Sequence, residues 1–201
     1  MQIRNDSVLI TGGSSGIGLE LARLLLERGN TVVIAGRDAS KLQDAKSKLP
    51  KVIPVSGDVS SPESIAALYA VTLREAPAIN VLINCAGIMR KIDLQASVSD
   101  LKDITREIDT NLNGTIWTTV QFLPHLKRQQ RAAIVNVSSG LAFVPMPISP
   151  VYSATKAAIH AFTLSLRTQL TNTRIKVFEL APPGTDTPLF WEDFTKEDVG
   201  G

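Results

Sequence analysis

Tyr152 and Lys156 bracket the run Tyr152-Ser153-Ala154-Thr155-Lys156, a spacing that places both side chains on one face of a helix. A free phenol titrates near pH ~10, and an ammonium group beside it favours the phenolate, so the pair suits proton transfer at working pH. Upstream, Ser138-Ser139 closes the apolar run Ile134-Val135-Asn136-Val137. In a parallel α/β sheet the carboxyl end of such a strand faces the ligand crevice. A second chemical feature is Thr11-Gly12-Gly13-Ser14-Ser15-Gly16-Ile17-Gly18, set between an apolar run and an amphipathic helix. Glycines there permit a tight turn, let backbone N–H groups approach a pyrophosphate and remove side chains where helix meets strand. Dinucleotide binding is the chemistry this loop implies.

Short β-branched runs and helical patterns alternate along the chain, and these must hold the two features together. Strands are expected at Ser7 to Ile10, Thr31 to Ala35, Val52 to Val55, Val81 to Ile83, Ile134 to Val137 and Ile175 to Leu180. Between them the periodicity predicts helices from Ile17 to Arg28, Lys41 to Leu49, Ser61 to Glu75 and Tyr152 to Leu170. Gly29-Asn30 stops the first of these with a left-handed residue, and Pro62 opens the third. A longer helical region from Asp100 to Arg131 is broken near Asn111 to Gly114. Strands apolar on both faces and interleaved with helices imply an α/β fold, a doubly wound parallel sheet covered on both sides, in a single domain over residues 1–201.

The glycine spacing is G-x-x-x-G-x-G, and with it the sequence resembles the short-chain dehydrogenase/reductase family, whose loop reads TGxxxGxG. The resemblance extends in order through Asp58-Val59, Asn84-Cys85-Ala86-Gly87 (NNAG with Cys85 at the second asparagine), Asn111 with Gly114, Ser139 and the Tyr152/Lys156 pair. It is nearest to a subgroup of oxidoreductases named after teichoic-acid D-alanylation clusters, in the runs SSGLAFVP, YSATKAAIH and ELAPP. The resemblance implies a Rossmann-like strand order 3-2-1-4-5-6 and hydride transfer between a nicotinamide cofactor and a carbonyl or alcohol carbon. Tyr152 would then be the general acid/base, and Ser139, selected over Ser138 by the family spacing, would hold the substrate oxygen. Lys156 would lower the tyrosine pKa and bind the nicotinamide ribose, and Asn111 would fix a water in a proton relay. Gly12, Ser14, Ser15, Gly16, Ile17 and Gly18 would cradle the cofactor phosphates. Asp58 and Val59 would meet the adenine, and Asn84, Ala86 and Gly87 would complete the floor. Family members commonly associate as homodimers or homotetramers through the two helices bearing Asn111 and Tyr152. Leu112, Ile116, Val120 and Leu123 are compatible with that contact and equally with a core face.

The second strand decides the cofactor. A carboxylate at its end binds the ribose 2′-OH of NAD, whereas an arginine accommodates the 2′-phosphate of NADP. Asp38 stands 20 residues after Gly18 and invites the NAD reading. The family's discriminating acid falls instead at Gly36, with Arg37 directly after it. NADP(H) is therefore favoured over NAD(H), with Asp38 a helix-start residue. Past the sixth strand, Ala181-Pro182-Pro183-Gly184-Thr185-Asp186-Thr187 departs from the family's P-G-x-V-x-T. Aligning Pro182 keeps Thr187 near the cofactor but puts Pro183 at a glycine position and Thr185 at a valine. The segment from Gly140 to Met146 should flank an apolar substrate or simply pack as a loop.

Composition narrows the alternatives. With 21 Lys+Arg against 19 Asp+Glu and a net charge of +2, charge-driven binding of nucleic acid or a membrane surface is not expected. One cysteine and two histidines offer neither a disulfide framework nor a metal-ligand spacing. No apolar run is long enough for a membrane helix, and the reading is cytoplasmic. His125 is expected at the surface and His160 in helix packing or a subunit contact. The alternative to an enzyme is a catalytically impaired NADP(H)-binding sensor or regulatory protein, which keeps the glycine loop and has no need of the tyrosine. Pro183 and the short stretch after Thr187 lean that way. Family members run on through a substrate loop, a helix and a seventh strand, so six strands and a cleft open on that side are expected here. A short natural chain and a truncated one read alike, and the substrate stays unread.

Overall fold

The computed structural model describes residues 2–96, 100–184, 187, 189 and 194. Six strands, β1 (Ser7–Thr11), β2 (Thr31–Gly36), β3 (Ile53–Ser56), β4 (Val81–Asn84), β5 (Ala132–Val137) and β6 (Ile175–Leu180), form one sheet in the order β3-β2-β1-β4-β5-β6. Every pairing is parallel. The order reverses between β1 and β4, the place where a doubly wound sheet opens a crevice at its carboxyl edge.

Strand residues alternate between two buried clusters. Leu9, Val33, Leu82, Ile134 and Val177 point to the face covered by α3 (Pro62–Glu75), α5 (Gly114–Arg128) and α6 (Pro150–Gln169), through Leu68, Phe122 and Leu166. Val8, Ile10, Ile34, Val81 and Ile83 point to the other face, against Ala22 and Leu25 of α1 (Gly16–Glu27) and Leu42 of α2 (Ala39–Lys48). Both faces being dry explains why the strands read as continuous apolar runs and not as alternating ones. Local signals set the helix ends. Asp38 caps α2 by accepting from the N–H groups of Ser40 and Lys41, and Ser61 caps α3 ahead of Pro62. Gly29 takes φ 78° after α1, the left-handed stop expected there.

The break expected near Asn111 has a definite form. After a short α4 (Leu101–Ile104), residues Ile108–Asn113 make a π-helical turn that runs directly into α5. Such turns widen the backbone spacing and recur at functional sites. Thr115 Oγ1 donates to the Asn111 carbonyl at 2.7 Å and steadies the turn. The buried side of α5 is Thr115, Thr118, Thr119, Phe122 and Leu126. Of the four apolar residues singled out in sequence, only Leu123 packs against the core, and Val120 is 61% exposed. His125 is buried, against expectation. Its Nε2 lies 2.8 Å from the Ile79 carbonyl, which gives the ring the polar partner a core site requires. Among the described residues no helix is long and apolar enough to cross a membrane.

Candidate active site

Strand order lays the site out across the carboxyl edge of the sheet. A cleft of about 380 Å³ is lined from the ends of β3 (Gly57, Asp58) and β2 (Gly36, Arg37), past the loop after β1, to Cys85, Ala86 and Gly87 beyond β4. It continues to Ser138 and Ser139 beyond β5, and to Pro182, Pro183, Gly184 and Thr187 beyond β6. Tyr152 and Lys156 reach it from α6.

The glycine loop is a tight cradle. Gly12 has φ +67°, and a Cβ there would lie 2.7 Å from the Ala86 Cα. A Cβ on Gly18 would come within 2.3 Å of the Gly12 carbonyl oxygen, so α1 can begin this close to β1 only without a side chain. Thr11 Oγ1 ties the loop to the strand beside it, accepting from the N–H of Cys85 (3.1 Å) and of Ala86 (3.2 Å). The Ser15 side chain makes no capping hydrogen bond, and the first turn, Gly16-Ile17-Gly18-Leu19, is uncharged. The leading N–H groups of α1 are thereby left for an anion, and the residues present fit a pyrophosphate. Ser14 and Ile17 line the same rim.

At β2, Arg37 is exposed and lines the cleft with Lys41. Asp38 Oδ1 is engaged by the Ser40 and Lys41 N–H groups at 2.9 and 3.0 Å, and those bonds hold its carboxyl below the usual range. Asp58 accepts from Ser60 N and Oγ, and its own N–H donates to Ser64 Oγ. Val59 packs against Gly114, where a Cβ would stand 2.9 Å from it.

Four residues expected to do chemistry, Asn111, Ser139, Tyr152 and Lys156, converge. Lys156 Nζ lies 5.4 Å from the Tyr152 ring centroid and donates to the Val137 carbonyl at 2.9 Å. Ser139 acts on the Tyr152 phenol, lowering its pKa, while its Oγ accepts from Leu141 N at 3.1 Å. Asn111 is buried: its Oδ1 accepts from Ile88 N at 2.8 Å, and its Nδ2 donates to the Ile88 carbonyl (2.9 Å) and Thr155 Oγ1 (3.1 Å). A Cβ on Gly87 would sit 3.3 Å from Asn111 Oδ1 and 3.7 Å from Lys156 Nζ, so this glycine lets the two approach from either side.

Burial sets the protonation states here, and this corrects the expectation of a lowered phenol pKa. Desolvation pushes Tyr152 up to about 12 against the lowering by the Ser139 hydrogen bond, with Cys85 and Glu107 raising it further. Desolvation also brings Lys156 down to about 8, so at neutral pH the site holds a protonated phenol beside a weakened ammonium.

Asn84 does not reach the cleft. It is buried, and its Nδ2 donates to Thr119 Oγ1 (3.0 Å) and Asn136 Oδ1 (2.9 Å), because a strand residue at that register points into the α5 side of the sheet. The cleft wall falls instead to Cys85, whose thiol burial pushes up to about 11. Pro182 and Thr187 both line the cleft, and Thr185 lies outside the described residues. An apolar wall is made by Leu141 and Met146, from the segment expected to flank the substrate, and by Met89 and Leu189, which sequence reasoning missed. Met89 and Phe194 form a buried cluster with Tyr152 itself. Only the Gly140 to Met146 stretch carried a signal of that wall, since isolated methionines and leucines do not announce it.

The fold and site together define a Rossmann-type α/β protein with a glycine cradle and a Tyr–Lys pair on one edge of its sheet. The chain belongs to the short-chain dehydrogenase family, whose model matches residues 6–198. It is 48% identical over 189 residues to the uncharacterized oxidoreductase DltE of Bacillus subtilis (strain 168), covering 94% of this chain and 75% of that one. Among solved structures, 3-ketoacyl-(acyl-carrier-protein) reductase from Brucella melitensis, complexed with NADH, superposes with a TM-score of 0.88 at 27% identity, over 94% of this chain and 79% of the other. A variant of actinorhodin polyketide ketoreductase with NADPH gives 0.86 at 28%, over 94% and 74%.

Proposed function

We propose that this protein is an NADP-preferring oxidoreductase acting on carbonyl or alcohol groups, with Tyr152 as general acid/base. The observation that carries the reading is the convergence of the glycine cradle with Ser139, Tyr152 and Lys156 in one cleft. The nicotinamide cofactor, when bound, supplies or accepts the hydride. The N–H groups around Gly12 to Gly18 would hold its pyrophosphate, and Lys156 its ribose. Tyr152 keeps its proton at Oη near neutral pH, the form that gives a proton to a carbonyl oxygen as it is reduced. Ser139, whose Oγ accepts from Leu141 N, would donate to that same oxygen. Asn111 holds the loop after β4 against α6 through Ile88 and Thr155.

The preference for NADP is supported by Arg37 and Lys41 on the rim and by the engagement of Asp38 as a helix cap. Among the described residues, the charged side chains lining the cleft are Arg37, Asp38, Lys41 and Asp58 at the β2/β3 end, and Lys156. The Tyr152 end is walled by methionine and leucine, which supports an uncharged, apolar substrate. Self-association into a homodimer or homotetramer would run through α5 and α6, as is common in the family, where Val120 and Leu164 are exposed. The test follows NADPH absorbance with a panel of ketones and aldehydes, alongside dissociation constants for NADPH and NADH. We expect turnover of apolar carbonyls and tighter NADPH binding. Absence of turnover rejects the enzyme, and equal or tighter NADH binding rejects the cofactor preference.

A further inference from the structure

Ser138 and Ser139 are neighbours at the end of β5, yet their hydroxyls have different partners. Ser139 Oγ accepts from Leu141 N and acts on the Tyr152 phenol, whereas Ser138 Oγ donates to Glu179 Oε1 on β6 at 2.6 Å. The other carboxylate oxygen, Oε2, is 2.8 Å from His160 Nδ1 on α6. The imidazole in turn meets the Phe143 ring edge-on, with centroids 4.8 Å apart, just past the turn that Ser139 caps. One carboxylate, only 13% exposed, thus braces three pieces of the site. These are the β5 end with Ser139, the helix with Tyr152 and Lys156, and β6 leading to Pro182. Backbone bonds on either side of Ser139, Ser138 N to the Leu180 carbonyl and Gly140 N to the Pro182 carbonyl, both 2.9 Å, clamp the same corner.

The order Ser–Glu–His does not activate Ser138 as a nucleophile, because the imidazole touches the carboxylate and not the hydroxyl. Its effect is on placement. We infer that Glu179, held by His160, is a positioning residue for the proposed reaction: through Ser138 it fixes the Ser139 hydroxyl against the Tyr152 phenol. The inference rests on the function proposed above, since the Ser139–Tyr152 geometry governs rate only in that chemistry. Small misplacements of a reacting group cost rate steeply, whereas the glycine cradle proposed for the pyrophosphate lies beyond β4, at β1.

The experiment compares kcat, KM and the NADPH dissociation constant of the unaltered protein with those of Glu179→Ala, Glu179→Gln, His160→Ala and His160→Asn, using a ketone the unaltered protein reduces. Glu179→Ala is expected to lower kcat about tenfold or more, leaving the NADPH dissociation constant within about twofold. Glu179→Gln, which still offers an acceptor to Ser138, recovers most of the rate. His160→Asn, whose amide nitrogen stands in for Nδ1, recovers more than His160→Ala. If Glu179→Ala does not fold, the half-exposed His160 pair gives the same reading. Unchanged kcat in both alanine variants overturns the inference. So does an equal fall in kcat and NADPH affinity, or glutamine and asparagine variants that fall as far as the alanines. An unaltered protein that reduces no carbonyl removes the proposed function and this inference with it. Turnover with indifferent Glu179 and His160 variants removes the inference alone.

Discussion

Tyr152 sits where two demands oppose each other. Contact with Met89 and Phe194 dries the phenol and raises its pKa to about 12, while the Ser139 hydrogen bond pulls the other way. A dry, protonated phenol is a competent acid toward a developing alkoxide, the form the proposed reduction would use. Removing the hydroxyl in Tyr152→Phe should lower kcat by about 10²- to 10⁴-fold or more, with NADPH affinity nearly unchanged, as steady-state kinetics and a fluorescence titration would read. Retained turnover would take Tyr152 out of the acid/base role. The i, i+4 spacing with Lys156 made this pair legible in sequence. The sign of the phenol's shift was not, because it depends on side chains arriving from Met89 and from Phe194, more than forty positions away in either direction. His125 was misread for a related reason: a polar residue in an amphipathic helix looks solvent-facing until a carbonyl such as that of Ile79 is brought beneath it.

Two elements do most to place the chemistry, the start of α1 and the π-helical turn. The first is set by backbone proximity. Gly18→Ala would drive a methyl to 2.3 Å from the Gly12 carbonyl oxygen, and α1 would have to back away from β1. Overpacking of that kind costs about 1–3 kcal/mol, so a lower melting temperature is expected together with weaker NADPH binding. An alanine variant with unaltered affinity would show that the close approach is dispensable. The glycine loop was readable because its geometry is local and its spacing is diagnostic. The break before α5 was readable as a position, from Asn111 and Gly114, but its form as a π-helical turn needed the tertiary partners Ile88 and Thr155 that pull Asn111 inward. Asn84 shows the limit of motif transfer: the loop after β4 does line the cleft, yet the strand pleat turns this one amide to the other side.

At the scale of the whole molecule, the buried ionisable pair links stability to pH. Lys156 falls from its ordinary 10.5 to about 8 in the folded protein, so between about pH 8 and 10.5 the unfolded chain binds more protons than the native one. The Lys156 contribution to stability therefore rises with pH across that window. Tyr152 acts in the opposite sense. Its folded pKa is raised from 10 to about 12, so its contribution is complete below 10 and is lost as pH climbs toward 12. Cys85, raised from 9 to about 11, likewise loses its contribution between those values. Urea midpoints of the cofactor-free protein should therefore increase from about pH 8 to about pH 9, level off, and turn down above about pH 10. Lys156→Met should remove the rising limb, and a rise that persists in that variant would place its origin elsewhere. The sheet order and the two-faced core that bury this pair were anticipated from the apolar strand runs, whereas the burial of the lysine itself depends on the Val137 carbonyl waiting at the end of β5.

The amide bridge beneath the cleft also bears on how the chain finds this sheet. β4 and β5 are short, parallel and apolar on both faces, so side-chain hydrophobicity alone distinguishes poorly between the native alignment and one shifted by two residues. Asn84 and Asn136 occupy partnered positions in the two strands, and Asn136 Nδ2 donates onward to Thr163 Oγ1 at 2.9 Å. A shifted alignment would break the Asn84–Asn136 bond in a dry interior, at a penalty of about 1–3 kcal/mol for a group left unmet. The pair favours the alignment in which Asn84 and Asn136 face each other across β4 and β5.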